Sequence, residues 1–326
     1  MTLGNISGLK QDARQALQSC PAQKHIAVVY TAVLVGISVI LNVLDFVLSD
    51  MIAGTGGLGN LGAQTILSTL QSMLPILQIL VLLGWNAGYS MAVLKIVRRQ
   101  HADANTLKEG YSLFWPLLRA SLIEIMLYFS LTMLSFYLSM QIYLFTPWSN
   151  DLIAVLEPVM PSILSTGTIA LEESMVRPMA EAMLPMMLIF AALYLLLAIP
   201  VSYRLRMYLY CLIDAPRAGA MHAIAASRRI MRRNCFRLFK LDLSFWWYHG
   251  LLAVASIVQM LPILGLPLPL SFDAQYYLFY GIYIVLISVV YVLLRNRVET
   301  TYAAAYETLR EKPQENAVVL GNIFDM

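Results

Sequence analysis

The stretch IAVVYTAVLVGISVILNVLDFVL, residues 26–48, holds one charged residue, Asp45, close to its end. A bilayer core of about 30 Å needs roughly 20 apolar residues at a rise of about 1.5 Å each. This run satisfies that requirement. It is too long for the apolar region of a signal peptide, and no A-x-A-like cleavage site follows it, so it reads as a retained anchor. Five further stretches read the same way, at about 73–97, 117–144, 184–209, 239–262 and 276–294. The expectation is an all-α polytopic membrane protein. It has six transmembrane helices in three hairpins, within a single domain over 1–311 followed by a cytoplasmic tail, 312–326.

Composition agrees. Of the 326 residues, 59% are hydrophobic and 13% charged, against about 45–50% and about 25% in soluble domains. A net charge of +3 gives no case for nucleic-acid binding.

Six spans put both termini on one side, and Lys and Arg choose it. Of the 22 basic residues, only Arg177 falls on the side opposite the termini. A count of five or seven spans would scatter these charges over both faces. The termini are therefore expected in the cytoplasm and the protein in a cytoplasmic membrane. Asp45, Asp50, Asp151, Glu157, Glu172, Glu173, Glu181 and Asp273 make the outer ends acidic.

The connections differ in character. GTGGLGNLG at 54–62 is glycine-rich. The outer segment 146–183 carries Pro147, Pro158, Pro161 and Pro178, with Pro185 just beyond it. These prolines predict short pieces, LIAVLEPVM and TIALEESMVRPMAEAM, lying on the outer surface. ILGLPLPLSFDAQ closes the last outer turn. On the cytoplasmic side LKQDARQAL, LKEGYSLFWPLLRA and APRAGAMHAIAASRRIMRRNCFRLF each precede a hairpin and read as interfacial amphipathic helices. In the third, Asp214 is a candidate N-cap with Pro216 in the first turn. On a helical wheel Met221, Ile224, Ile230, Met231, Cys235, Leu238 and Phe239 share one face. Arg228, Arg229, Arg232, Arg233, Arg237 and Lys240 share the other. Such a helix suits anionic headgroups, either as a lipid-binding surface or as a topology anchor.

Ionisable groups inside spans are costly and so are functional candidates. Glu124 is the clearest. It belongs to a stripe of Ser121, Glu124, Tyr128, Thr132, Ser135 and Ser139, whose spacing of three and four keeps one helical face. Thr31, Ser38, Asn42, Asp45 and Ser49 form a second stripe, Gln71, Gln78, Trp85 and Tyr89 a third, and Tyr276, Tyr280 and Tyr283 a fourth. These faces are expected to turn toward one another. They either pack dry or line a polar path past Glu124, with Asp45 near its outer mouth and Arg119 a possible partner of Glu124. Glu124→Gln separates the two: lost flux at normal expression favours a path, and misfolding favours structure. Asp242 is expected to pair with Arg237, Arg233 or Lys240 beside an aromatic anchor, Trp246, Trp247 and Tyr248.

Cys20, Cys211 and Cys235 show no metal or redox spacing, and His25, His101, His222 and His249 form no i, i+4 pair, so no metal or cofactor is expected.

Three stretches, IPVSYRLRMYLYCLIDAP (199–216), AIAASRRIMRRNCFRLFKLDLSFWWYHGLL (223–252) and TTYAAAYETLRE (300–311), resemble the bacterial integral membrane family catalogued as domain of unknown function 975. The amino-terminal GLKQDARQALQSC is similar to that family's opening segment. Val201 stands where the family usually has glycine. The resemblance implies a polytopic α-helical protein, usually of Gram-positive bacteria, and supplies no activity or catalytic residue.

Three function classes follow. The first is a non-enzymatic membrane accessory binding anionic lipid or an unidentified protein partner. The second is a transporter or channel, with no discontinuous helix predicted. The third is a lipid-modifying enzyme, which needs a nucleophile with a base or a metal set. The nearest set, Asp242, Ser244 and His249, is spread around its helix, so the chain is not expected to be an enzyme.

Overall fold

The computed structural model describes residues 5–54, 61–157, 173–262 and 272–310, which are helical with no strand. Most of the glycine-rich stretch, the start of TIALEESMVRPMAEAM, most of the proline-rich turn and the 312–326 tail lie outside the described residues. Five helices are long and apolar enough to cross a membrane: Gln23–Gly54, Gly62–Val97, Thr106–Leu144, Glu181–Asp214 and Ala274–Arg310. A bent pair, Cys235–Leu243 and Trp246–Met260, raises the number to six if it is one span.

The chain divides into two compact units, residues 1–120 with 205–326, and residues 121–204. In the larger unit, α1 (Ile6–Ser19) precedes α2 (Gln23–Gly54) and α3 (Leu61–Val97). A short α4 (Thr106–Glu109) and a 3₁₀ turn, Gly110–Leu113, lead into α5 (Phe114–Leu144). The smaller unit holds the rest of α5, then α6 (Trp148–Leu156) and most of α7 (Glu173–Leu205). The larger unit resumes with α8 (Tyr208–Asp214), α9 (Gly219–Met231), α10 (Cys235–Leu243) and α11 (Trp246–Met260). It closes with α12 (Phe272–Val290), a π turn (Tyr291–Arg295) and α13 (Asn296–Arg310).

α13 is the core of the larger unit at the end where α2 begins and α3 stops, called here the basic end. Val298, Thr300, Thr301, Tyr302, the three alanines 303–305, Tyr306 and Leu309 are all buried. The small alanine surface admits α1 and α3, which pack on it. α1 contributes Leu9, Ala13, Ala16 and Leu17, a three-and-four spacing that buries one stripe. α3 ends in a Schellman turn: Gln100 N–H donates to Lys95 C=O (2.9 Å) and Arg99 N–H to Ile96 C=O (3.0 Å), with Arg99 at φ 55°.

The structure corrects five expectations. The fifth apolar stretch is not one straight helix, since α10 and α11 meet at 66°. The break is held from outside: Lys10 Nζ on α1 donates to the freed Ser244 carbonyl (3.2 Å) and lies 4.3 Å from the Phe245 ring centroid. Burial of Lys10, with Arg14 adding to it, lowers the pKa of its ammonium. Second, the end of TIALEESMVRPMAEAM is no separate surface piece: α7 starts at Glu173 and runs unbroken through Pro178 and Pro185 into the span, because a proline forfeits only one bond of a long apolar helix. Third, Asp214 is not an N-cap. It ends α8, and α9 starts at Gly219, whose φ of 84° suits glycine. Fourth, the basic segment is two helices rather than one wheel, so Ala220, Ala223, Ser227, Met231, Leu238 and Leu241 are buried while Met221 and Phe239 are exposed.

Fifth, the segment expected as a surface helix before α5 is instead lodged against α3. Leu107 and Leu113 are buried, and Gly110 sits against Gly84 and Gly88 of α3.

Candidate functional site

The polar stripes of α2, α3 and α12 interlock. Asn42 Nδ2 donates to Tyr280 Oη (2.7 Å) and to Ser38 C=O (2.8 Å). Gln78 Nε2 donates to Ser38 Oγ (3.2 Å), and Gln71 Nε2 to Asp45 Oδ1 (3.0 Å) and Ser49 Oγ (2.8 Å). Tyr276 and Tyr280 stack, with centroids 6.2 Å apart. Amide–hydroxyl bonds of this kind join membrane helices. A 190 Å³ cleft remains beside Asn42, Asp45, Pro75 and Gln78.

Glu124, Ser121, Tyr128 and Thr132 belong to the smaller unit. Thr132 and Ser139 donate back to Tyr128 C=O (2.9 Å) and Phe136 C=O (2.8 Å), and Ser135 and Ser139 are buried. Tyr143 Oη lies 2.9 Å from the carbonyls of Trp148 and Ala182 and donates to them. Glu124 is half-buried and makes no hydrogen bond or ion pair with a described residue, Arg119 included.

On α9, α10 and the turn between them the basic residues Arg228, Arg229, Arg232, Arg233, Arg237 and Lys240 are all exposed. Phe236, Leu243 and Trp246 are exposed beside them, at 67%, 59% and 70%. Lys240 Nζ lies 4.8 Å from the Phe236 ring centroid. Asp242 accepts from Tyr302 Oη. Ser244 Oγ donates to Leu241 C=O and His249 is exposed, so Asp242, Ser244 and His249 form no catalytic triad. Among the described residues no group of three or more His, Cys, Asp or Glu could hold a metal ion.

The basic end holds two further features. One is an ion network. Arg98 donates from Nε to Glu307 Oε1 and from Nη2 to Asp214 Oδ1, both at 2.7 Å. Asp214 Oδ2 also accepts from Tyr306 Oη (2.6 Å) and lies 3.2 Å from Arg310 Nη1. Burial would lower the pKa of Arg98, and the bonds to Asp214 and Glu307 outweigh it, so the net direction is upward and the guanidinium stays charged.

The other is an arginine–tyrosine cluster at the π turn. The Arg295 guanidinium lies over Tyr30 (4.7 Å), Tyr89 (5.3 Å) and Tyr291 (4.6 Å). Tyr89 donates to Asn296 Oδ1 and Tyr30 to Asn86 Oδ1. Trp85 Nε1 donates to Tyr30 C=O (3.2 Å). Arg206 lies over Tyr302 (4.7 Å). The extra residue of a π turn re-aims the side chains that follow it, and here Arg295 ends that turn. A signal for the cluster was present: charged Arg295 directly follows an apolar span and precedes Asn296 and Glu299.

An all-helical chain with five apolar helices long enough to cross a membrane, or six with the bent pair, has the form of a multi-pass membrane protein. The chain belongs to the family described as "Protein of unknown function (DUF975)", which matches residues 6–313 and so includes the segments from which the resemblance was drawn. It has no match among curated proteins or solved structures.

Proposed function

We propose that the chain is a non-enzymatic accessory of a bacterial cytoplasmic membrane. In this reading it crosses six times, with both termini and the basic end in the cytoplasm, and binds anionic headgroups through α9 and α10. The observation that carries this is the exposed row Arg228, Arg229, Arg232, Arg233, Arg237 and Lys240 beside exposed Phe236, Leu243 and Trp246. Cations for headgroups next to apolar groups for acyl chains are what an interfacial surface requires. Near an anionic surface each basic residue contributes about 1 kcal/mol. Replacing Arg228, Arg229, Arg232 and Arg233 by Gln is therefore expected to lower co-purifying anionic lipid by about tenfold or more, read by mass spectrometry of the purified protein. Unchanged lipid content would remove the proposal. An accessory role also calls for a protein partner, which crosslinking in cells would recover.

A second reading, a transporter or channel, is favoured by Glu124, half-buried in a long apolar helix without a described partner. The bonded Asn42, Asp45 and Gln78 favour packing instead. In reconstituted vesicles the transporter reading expects flux that Glu124→Gln abolishes at normal yield. No flux across a broad solute and ion panel would end it.

A further inference from the structure

A 260 Å³ cavity opens at the basic end, lined by Asn86, Ser90, Arg206, Tyr210, Arg295 and Glu299 among others. Two guanidinium groups share it with a single lining carboxylate. That carboxylate, Glu299 Oε1, is 3.9 Å from Arg295 Nε, beyond hydrogen-bond distance. Arg295 Nε is buried with no hydrogen-bond partner among the described residues, although its side chain is only 17% exposed. Arg206 makes no hydrogen bond or salt bridge with a described residue. Tyr302, whose ring carries Arg206, gives its hydroxyl proton to Asp242. Asn86 accepts from Tyr30 through Oδ1, which leaves its amide N–H groups for the cavity. The hydroxyls of Ser90 and Tyr210 likewise make no bond with a described residue. The wall thus carries an excess of donors, with Glu299 the lining carboxylate and Asp242 behind the Tyr302 ring.

A buried donor is normally satisfied, and leaving Arg295 Nε unbonded is costly even with the Glu299 charge 3.9 Å away, while the exposed Arg206 adds a second cation. The described side chains leave the hydrogen bonding of the buried guanidinium incomplete. Two arginines with amide and hydroxyl donors around one space suit an acceptor with several oxygens, which arginine forks hold in pairs. A carboxylate offers two oxygens, and a phosphate offers more. Arg206 and Asn86 are exposed at the mouth while Tyr210 is buried, so the ligand enters past Arg206.

We propose that this cavity is a binding site for a phosphate group, held by Arg206 and Arg295 with Asn86, Ser90 and Tyr210. The phosphate comes either from a lipid headgroup or from a free phosphate in the cytoplasm. The site is distinct from the exposed row on α9 and α10 and does not depend on it.

The test uses the full chain in phosphatidylcholine nanodiscs. Inorganic phosphate and glycerol 3-phosphate are titrated in one arm, and phosphatidylglycerol replaces part of the lipid in the other. Thermal unfolding is the readout. Arg206→Gln removes an exposed group without hydrogen bonds and is expected to fold. Asn86→Asp keeps the acceptor for Tyr30 and adds a negative charge at the mouth. Both are expected to weaken the response by about tenfold or more. A soluble-phosphate response lost in both variants supports the site with a free ligand. A response to phosphatidylglycerol alone supports the lipid source, provided it is lost in both variants and kept in Arg232→Gln/Arg233→Gln. No response in either arm, or one unchanged in both variants, overturns the proposal.

Discussion

Gly88→Ala is expected to prevent the larger unit from packing, and Gly110→Ala to do the same. An added Cβ at Gly88 would lie 1.9 Å from the Leu107 carbonyl oxygen. At Gly110 it would lie 2.1 Å from Gly84 O and 2.2 Å from Gly88 N. All three obstacles are backbone atoms, which no rotamer change can clear. Overpacking a tight site costs about 1–3 kcal/mol and occasionally more, and a backbone clash belongs at the upper end. The expected result is a loss of about 3 kcal/mol or more, seen as a large drop in thermal midpoint or in monodisperse yield in detergent. Gly36→Ala is the control, since nothing lies within 4 Å of a Cβ there. It should match or exceed the wild type in stability, because alanine is the better helix former. Equal stability of Gly88→Ala and the parent would show that α3 does not meet the 106–113 segment as described.

Arg98→Ala should give the next largest loss. The Arg98 side chain joins the end of α3 to Asp214 of α8 and Glu307 of α13. Its partners are 11% and 17% exposed, so their carboxylates would lose a cation in a poorly hydrated place. Hydrogen bonds to charged groups contribute about 1.5–3 kcal/mol each, and shared networks are not additive. A total of about 2–3 kcal/mol is expected in equilibrium unfolding. Arg98→Lys keeps the charge but not the fork, and should recover only part of it. Lys95→Ala is the contrast. Its pair with Glu109 is exposed and should contribute about 0–1 kcal/mol. If Arg98→Ala and Lys95→Ala cost the same, the network does not hold the basic end together.

The apolar helices were legible because length and hydropathy suffice to detect them. Asn42, Gln78 and Tyr280 were legible as faces because their spacing is helical, and they do meet. The bend at Ser244 was not, because what holds it is Lys10, distant in sequence. The extension of α7 back through Pro178 was not, because a proline states a cost and not whether the rest of the helix bears it. Gly84 and Gly88 are spaced like a close-packing pair, but the approach also needs Gly110, which only the fold brings there. In the sequence Arg206, Arg295 and Glu299 are single charges beside apolar stretches, with no spacing that links Arg206 to the other two. Their gathering around one cavity depends on the π turn and on the return of α13 into the core.

The orientation of the basic end underlies both the lipid surface and the phosphate site. It can be read by accessibility to an impermeant thiol reagent in intact cells, with Cys20, Cys211 and Cys235 replaced by Ser and single cysteines introduced. Six crossings predict that Asn60→Cys and Ser165→Cys label from outside, while Gln18→Cys and Gln314→Cys label only after permeabilisation. Labelling of Gln314→Cys from outside with Gln18→Cys protected would mean that the bent pair α10–α11 does not cross, and would contradict the account.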